Sequence, residues 1–362
     1  MDKTGERRLR PAEEPDGDRS KTPQWWSART DADLQPSDRW LRSLGLIAAL
    51  LPALAVVFIA AVLFASALPS ILFNGWGFFV NHDWSFGNFY SNSTVVRNGI
   101  QAPVGADYGA FPLIVGTLLT SIIAFIVGVP ISVGAALILA ERIPPRIGGA
   151  LSFFLELLAG IPSVVYGLWG LIVLGPFLAA NVYPQIARLG AVVPWLGPPT
   201  GSGLGLLTAG LVLAVMIIPI VAATTRDLLR QVPTLPREGA LALGLTSWET
   251  AWVVSIPWTF QGIVGAAMLG WGRALGETMA VLIVSGNGAN LLPPNVYSPI
   301  STIAASIVAL LDSAESDPTG LAVSALAEAG LVLMFITLVT NVLARLLVRR
   351  TSSINLPVGR GV

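Results

Sequence analysis

Long apolar runs separated by short charged stretches set the plan of this chain. A helix needs about 20 apolar residues to cross a hydrocarbon core. Six runs meet that length, near Leu41–Ala65, Pro112–Ala140, Gly149–Leu178, Gly203–Thr225, Trp258–Ser285 and Gly320–Val348. Proline falls inside three of them, at Pro130, Pro162 and Pro219. Membrane helices tolerate such breaks where neighbouring helices re-satisfy the freed backbone groups, so the pattern predicts a packed bundle. The fold class read from it is all-α: a polytopic membrane protein with six transmembrane helices.

The polar positions give the orientation. Lys and Arg gather before the first run or at its edge (Lys3, Arg7, Arg8, Arg10, Arg19, Lys21, Arg29, Arg39, Arg42) and between the second and third (Arg142, Arg146). They gather again between the fourth and fifth (Arg226, Arg230, Arg237) and after the sixth (Arg345, Arg349, Arg350, Arg360), whereas the alternate loops hold only Arg97 and Arg188. By the positive-inside bias both termini are cytoplasmic. The expected organisation is a disordered cytoplasmic tail over 1–40 and a permease domain over 41–348, followed by a short cytoplasmic tail over 349–362. Within the domain, 66–111 is an external loop and 226–257 a cytoplasmic segment. The aromatic-rich stretch Trp76–Tyr108 is expected to fold as a small external cap.

Composition narrows the chemistry. Of 362 residues 54% are hydrophobic and 12% charged, with a mean hydropathy of +0.71; a soluble domain carries about 25% charged residues. Cysteine is absent and His82 is the single histidine, which removes disulfides, thiolate metal sites and a His-rich metal cluster. Catalysis within the chain is not expected, no cofactor is expected to bind it, and nothing points to nucleic acid.

Against this background one pair of charges stands out. The fifth run holds Gly272-Arg273-Ala274-Leu275-Gly276-Glu277-Thr278, an arginine and a glutamate one helical turn apart. A charge at mid-bilayer costs about 2.5–3.5 kcal/mol on insertion scales, and such residues usually serve a substrate path. Arginine also presents several donors at once to an oxyanion. On a continuous helix Ala266, Gly270, Arg273, Glu277 and Ala280 share one face. The residues alone leave two readings open: an anion path, or an Arg–Glu bridge bracing the bundle. Thr278 is a further hydroxyl donor. Two other intramembrane acids, Glu156 and Glu328, are not read as ligands, because an acid opposes an anion; Glu156 is read as structural.

The segment 226–257 is too patterned for a plain connection. Pro236 and Glu238 suit a first helical turn, Gly244 a C′ stop, and Thr246-Ser247-Trp248-Glu249 a capping box opening a second helix that Pro257 would end. Spacing alone leaves an amphipathic connector as plausible as a docking element.

Glu238-Gly239-Ala240, Gly244 and Val254-Ser255-Ile256-Pro257 resemble the EAA motif of ABC importer permeases, E-A-A-x3-G-x9-I-x-L-P, with Gly239 in place of the first Ala. In that family the motif docks on a cytoplasmic ATPase, which assigns Glu238, Gly239, Ala240, Gly244 and Pro257 to coupling. Phe111–Leu118, Ile161–Gly170, Met216–Pro219 and Gly272–Val281 extend the resemblance to PstC-type permeases of bacterial high-affinity phosphate importers, type I ABC importers. The resemblance implies a PstA-like sister permease, a PstB-like pair of ATPase subunits that use ATP, an external PstS-like phosphate-binding protein, and a place in the plasma (inner) membrane. It favours Arg273, Glu277 and Thr278 as substrate-path residues, with Glu277 holding Arg273 until phosphate competes for it. The chain has no G-x-x-x-x-G-K-[ST] run of its own. Other readings are a permease for sulfate or molybdate, and an ATPase-independent channel or carrier.

Overall fold

The structure is a computed structural model that describes residues 36–88, 93–199 and 201–351. Most of the 1–40 tail, and the C-terminal tail beyond 351, lie outside the described residues. Six helices are long and apolar enough to cross a membrane. The first, α1, spans Pro36–Asn74, and the chain divides within it into two compact units, one ending at Ile59 and one starting at Ala60. In the first unit, Leu50, Leu51 and Phe58 of α1 are exposed.

The second unit carries the remaining elements. A short α2 (Gly77–Val80) leads into two antiparallel ladders: β1 (Trp84–Phe86) pairs with β4 (Ala106–Tyr108), and β2 (Thr94–Arg97) with β3 (Ile100–Pro103). Asn98 and Gly99 join β2 to β3 at φ values of 51° and 82°, the left-handed pair that a tight hairpin turn requires. These ladders add to the expected helical architecture. They sit over a cluster of Phe73, Phe78, Trp84, Tyr108, Leu113 and Ile303, with Trp84 and Tyr108 packed edge to face at 5.5 Å. Burial and the nearby Asp317 charge push the Tyr108 phenol above its usual range.

The bundle proper follows: α3 (Phe111–Glu141), α4 (Pro145–Ala159), α5 (Ser163–Ala191), α6 (Leu206–Arg230), α7 (Thr234–Ala242), α8 (Ser247–Leu275), α9 (Met279–Val284), α10 (Ile303–Glu315) and α11 (Leu321–Thr351). Within it α6 is the most enclosed span. Its approach to neighbours depends on small residues, the usual device where lipid supplies no hydrophobic drive. A Cβ on Gly270 of α8 would stand 2.6 Å from Val221 of α6.

Four expectations need correction. The first run does not end near Ala65: α1 continues to Asn74 and takes up the start of the expected 66–111 loop. The third run is not one helix over Gly149–Leu178: α4 ends at Ala159, and the spanning helix α5 starts only after Gly160-Ile161-Pro162. Pro162 caps α5, and a proline disfavours helical geometry at the residue before it, so the break belongs there. The fifth run is likewise displaced, because α8 begins at Ser247 and stops at Leu275. Pro257 therefore does not end a short second helix. Ahead of it lies a π-helical segment, Ala251–Ser255, in which the Ile256 N–H reaches back to the Ala251 carbonyl. This widened turn takes up the register where proline has no N–H to give, so the helix continues.

Candidate functional site

Arg273 sits in the last turn of α8. Beyond it the helix stops at Gly276, and Glu277 and Thr278 form a non-helical joint before α9. Glycine lowers helix propensity, and the Glu277 carboxylate competes for a backbone donor, accepting from the Ala280 N–H at 3.4 Å. Arg273 and Glu277 thus do not share a continuous helix face, and the expected hold of Glu277 on Arg273 is not formed. Arg273 is exposed and has neither hydrogen bond nor ion pair among the described residues. The Tyr166 hydroxyl of α5 donates to the Leu158 carbonyl at 2.8 Å, across the Gly160–Pro162 break.

The joint is held from behind. Ala274, Ala280, Val281 and Val284 are buried with Tyr166, Leu213, Met216 and Ile217. Gly167 of α5 touches α9 so closely that an added Cβ would lie 3.0 Å from the Ala280 Cα. On its open side Arg273 borders a groove of 560 Å3 with Ile220, Met268, Leu269, Gly272, Thr337 and Asn341. The arrangement presents a positively charged, exposed donor fork at a break in a spanning helix, on a buried apolar backing. Thr278 stands at the same joint, its hydroxyl donating to the Gly276 carbonyl at 3.3 Å. Glu156 is engaged elsewhere: it pairs with Arg226 at 3.2 Å, and Arg226 also binds Asp227 at 2.7 Å.

The second group of candidates lies at the opposite end of α8. In α7, Glu238 and Gly239 are exposed, Ala240 is buried, and Pro236 sits in the first turn behind the Pro233 cap. Gly244, at φ +90°, ends the helix as its C′ residue. The Leu245 N–H bonds the Ala240 carbonyl at 3.2 Å and the Gly244 N–H bonds that of Leu241 at 3.0 Å, the paired bonds of a Schellman stop. Thr246 and Glu249 then close the expected capping box at the start of α8. Leu235 and Leu243 are 78% and 84% exposed.

Sequence reasoning missed what ties α7 down. Arg237 forms an ion pair with Glu141, the last residue of α3. Ser255 of α8 joins them, accepting from Arg237 Nε at 3.2 Å and donating to Glu141 at 2.9 Å. Burial lowers the Arg237 pKa. A lone acid at the end of an otherwise apolar span was the one available signal.

Residues 128–353 match the family model described as binding-protein-dependent transport system inner membrane component. Among curated proteins, the phosphate transport system permease protein PstC 1 of Mycobacterium tuberculosis is 56% identical over 331 residues, covering 90% of this chain and 96% of that one. PstC of Pasteurella multocida is 41% identical over 291 residues, covering 80% and 87%. PstC of Mesorhizobium japonicum is 38% identical over 297 residues, covering 81% and 84%. Among solved structures, an inward-facing MetNI methionine ABC transporter chain aligns with a TM-score of 0.44 at 17% identity, over 65% of this chain and 91% of that one. With its six apolar spans, the chain is a multi-pass membrane protein that belongs to the family of binding-protein-dependent transport system inner membrane components.

Proposed function

We propose that this chain is the permease subunit of an ATP-driven phosphate importer in the bacterial plasma membrane. Its partners would be a PstA-like sister permease, a PstB-like ATPase pair docking on α7 and an external PstS-like phosphate-binding protein. The chain then supplies half of the path and the mechanical coupling, while ATP is hydrolysed on the ATPase subunits. The relatives' described role in phosphate transport supports the choice of anion. The observation that carries the path is Arg273: exposed, free of ion pairs among the described residues, and beside a groove at a helix break. A guanidinium without a resident carboxylate is ready to bind an incoming oxyanion. Thr278 and the amides of the joint can add donors, while Glu277, engaged with the Ala280 N–H, shapes the joint.

Phosphate uptake by the reconstituted transporter tests this reading. Arg273→Gln should assemble with the ATPase yet lose about tenfold or more of the uptake, one lost charged contact being worth about 1.5–3 kcal/mol. Undiminished uptake would remove Arg273 from the path. Sulfate or molybdate uptake in place of phosphate would reassign the substrate, and uptake by the chain alone would refute the importer.

A further inference from the structure

The groove beside Arg273 has a neighbour. A second space of 420 Å3, bordered by Gln261, Gly265, Ala344 and Arg345, shares Met268, Leu269 and Asn341 with it. Both lie between α8 and α11. Along α8, Gln261 is twelve residues from Arg273, about 18 Å at the helical rise. Along α11, Thr337, Asn341 and Arg345 follow at intervals of four and so fall on one face. The result is a ladder of Arg273, Asn341, Gln261 and Arg345 on adjoining helices, running from the helix break towards the end of the bundle that holds α7. Among the described residues, no acid borders either space.

Gln261, Asn341 and Arg345 are all exposed within segments that qualify as membrane spans. Amides facing hydrocarbon lose their hydrogen bonds at a cost of several kcal/mol, so this face requires water or polar partners. We propose that the α8–α11 groove is the inward half of the anion path, with Arg345 as a second oxyanion-binding residue and Asn341 and Gln261 as neutral donors between the two arginines. This rests on the phosphate reading above. Two separated cationic stations joined by neutral donors bind an anion at several weak points rather than one strong one, which lets it leave.

A phosphate group at Arg345 could be inorganic phosphate or a lipid headgroup, and thiol labelling separates them. The chain has no cysteine, so Asn341→Cys and Gln261→Cys each introduce a unique reporter. The intact transporter would be placed in inverted vesicles of phosphatidylcholine and labelled with an anionic methanethiosulfonate, read on this chain by mass. Both sites should react about tenfold or more faster than Leu343→Cys on the opposite face of α11, because a lipid-facing thiol is held from its thiolate form. Inorganic phosphate should slow both reactions.

Rates equal to that of Leu343→Cys would overturn the groove, as would reaction indifferent to inorganic phosphate. So would slowing by added phosphatidylglycerol alone, which would mark a headgroup site. Phosphate uptake by the unsubstituted transporter, measured in parallel, reports on the phosphate reading independently. Slowing by sulfate with no phosphate uptake would keep the groove and change its anion.

Discussion

Gly239 and Gly270 are both small residues on helices, yet the structure gives them opposite prospects. A Cβ at Gly239 meets nothing within 4 Å, and its φ is not in the left-handed region. Gly239→Ala, which restores the residue usual in the motif, should stabilise α7 by about 1 kcal/mol and leave ATPase recovery unchanged; thermal unfolding of the detergent-purified complex would show it. At Gly270 a Cβ would collide with Val221 on α6. Gly270→Leu should therefore separate α8 from α6, costing about 1–3 kcal/mol as overpacking does. The check is a lower unfolding temperature together with reduced uptake. The sequence shows both as glycine inside an apolar or small-residue context; only the position of the neighbouring helix tells them apart. Arg273 was legible because charge within an apolar run is conspicuous. Its freedom from Glu277 was not, because the joint at Gly276 turns a helical spacing into a bend.

At the level of elements, periodicity placed α3, α6 and α11 to within a few residues, since each is a single uninterrupted apolar helix. It ended the first run at Ala65 where α1 continues to Asn74, and it misjudged the two runs that carry breaks. In the third run an amphipathic α4 abuts the spanning helix, and hydropathy alone merges them across Gly160–Pro162. In the fifth run a π-helical turn absorbs Pro257, which by itself reads as a stop. Local capping chemistry fared better: the Gly244 stop and the Thr246–Glu249 box act through nearest neighbours, so the sequence is sufficient to specify them.

The Arg237–Glu141–Ser255 clamp is the joint between α7, α3 and α8. Arg237→Ala leaves a largely buried carboxylate without its cation, for which loss of a partner costs about 3–5 kcal/mol in a fully buried pair and less here, where both side chains retain some exposure. The expected result is an importer that still recruits its ATPase but hydrolyses ATP without matching phosphate uptake. Retained coupling, measured as phosphate moved per ATP, would show that the clamp is only a brace.

For the whole molecule, the path candidates lie at and just beyond the C-terminal end of α8 and most docking candidates on α7, just ahead of its N-terminal end, with the β ladders elsewhere on the same unit. Glu238→Arg should abolish recovery of the ATPase on purification while leaving the membrane helices folded, because Glu238 is exposed and contributes nothing to the bundle core. Full recovery with Glu238→Arg would place the docking surface elsewhere. The overall charge bias that orients the spans survives each of these single changes.

The uninterrupted run of α8 has a mechanical corollary. From Ser247 to Leu275 it has 29 residues, about 43 Å of rod at the helical rise. Its foot is fixed to the α7 clamp, and Arg273 rides near its tip. If that rod pivots at its base by about 10°, the tip sweeps about 7 Å, a few times the displacement near the pivot. A small displacement at the foot would then carry the guanidinium sideways, across the groove rather than along it, with the π-helical turn at Ala251–Ser255 as the natural place for the rod to flex.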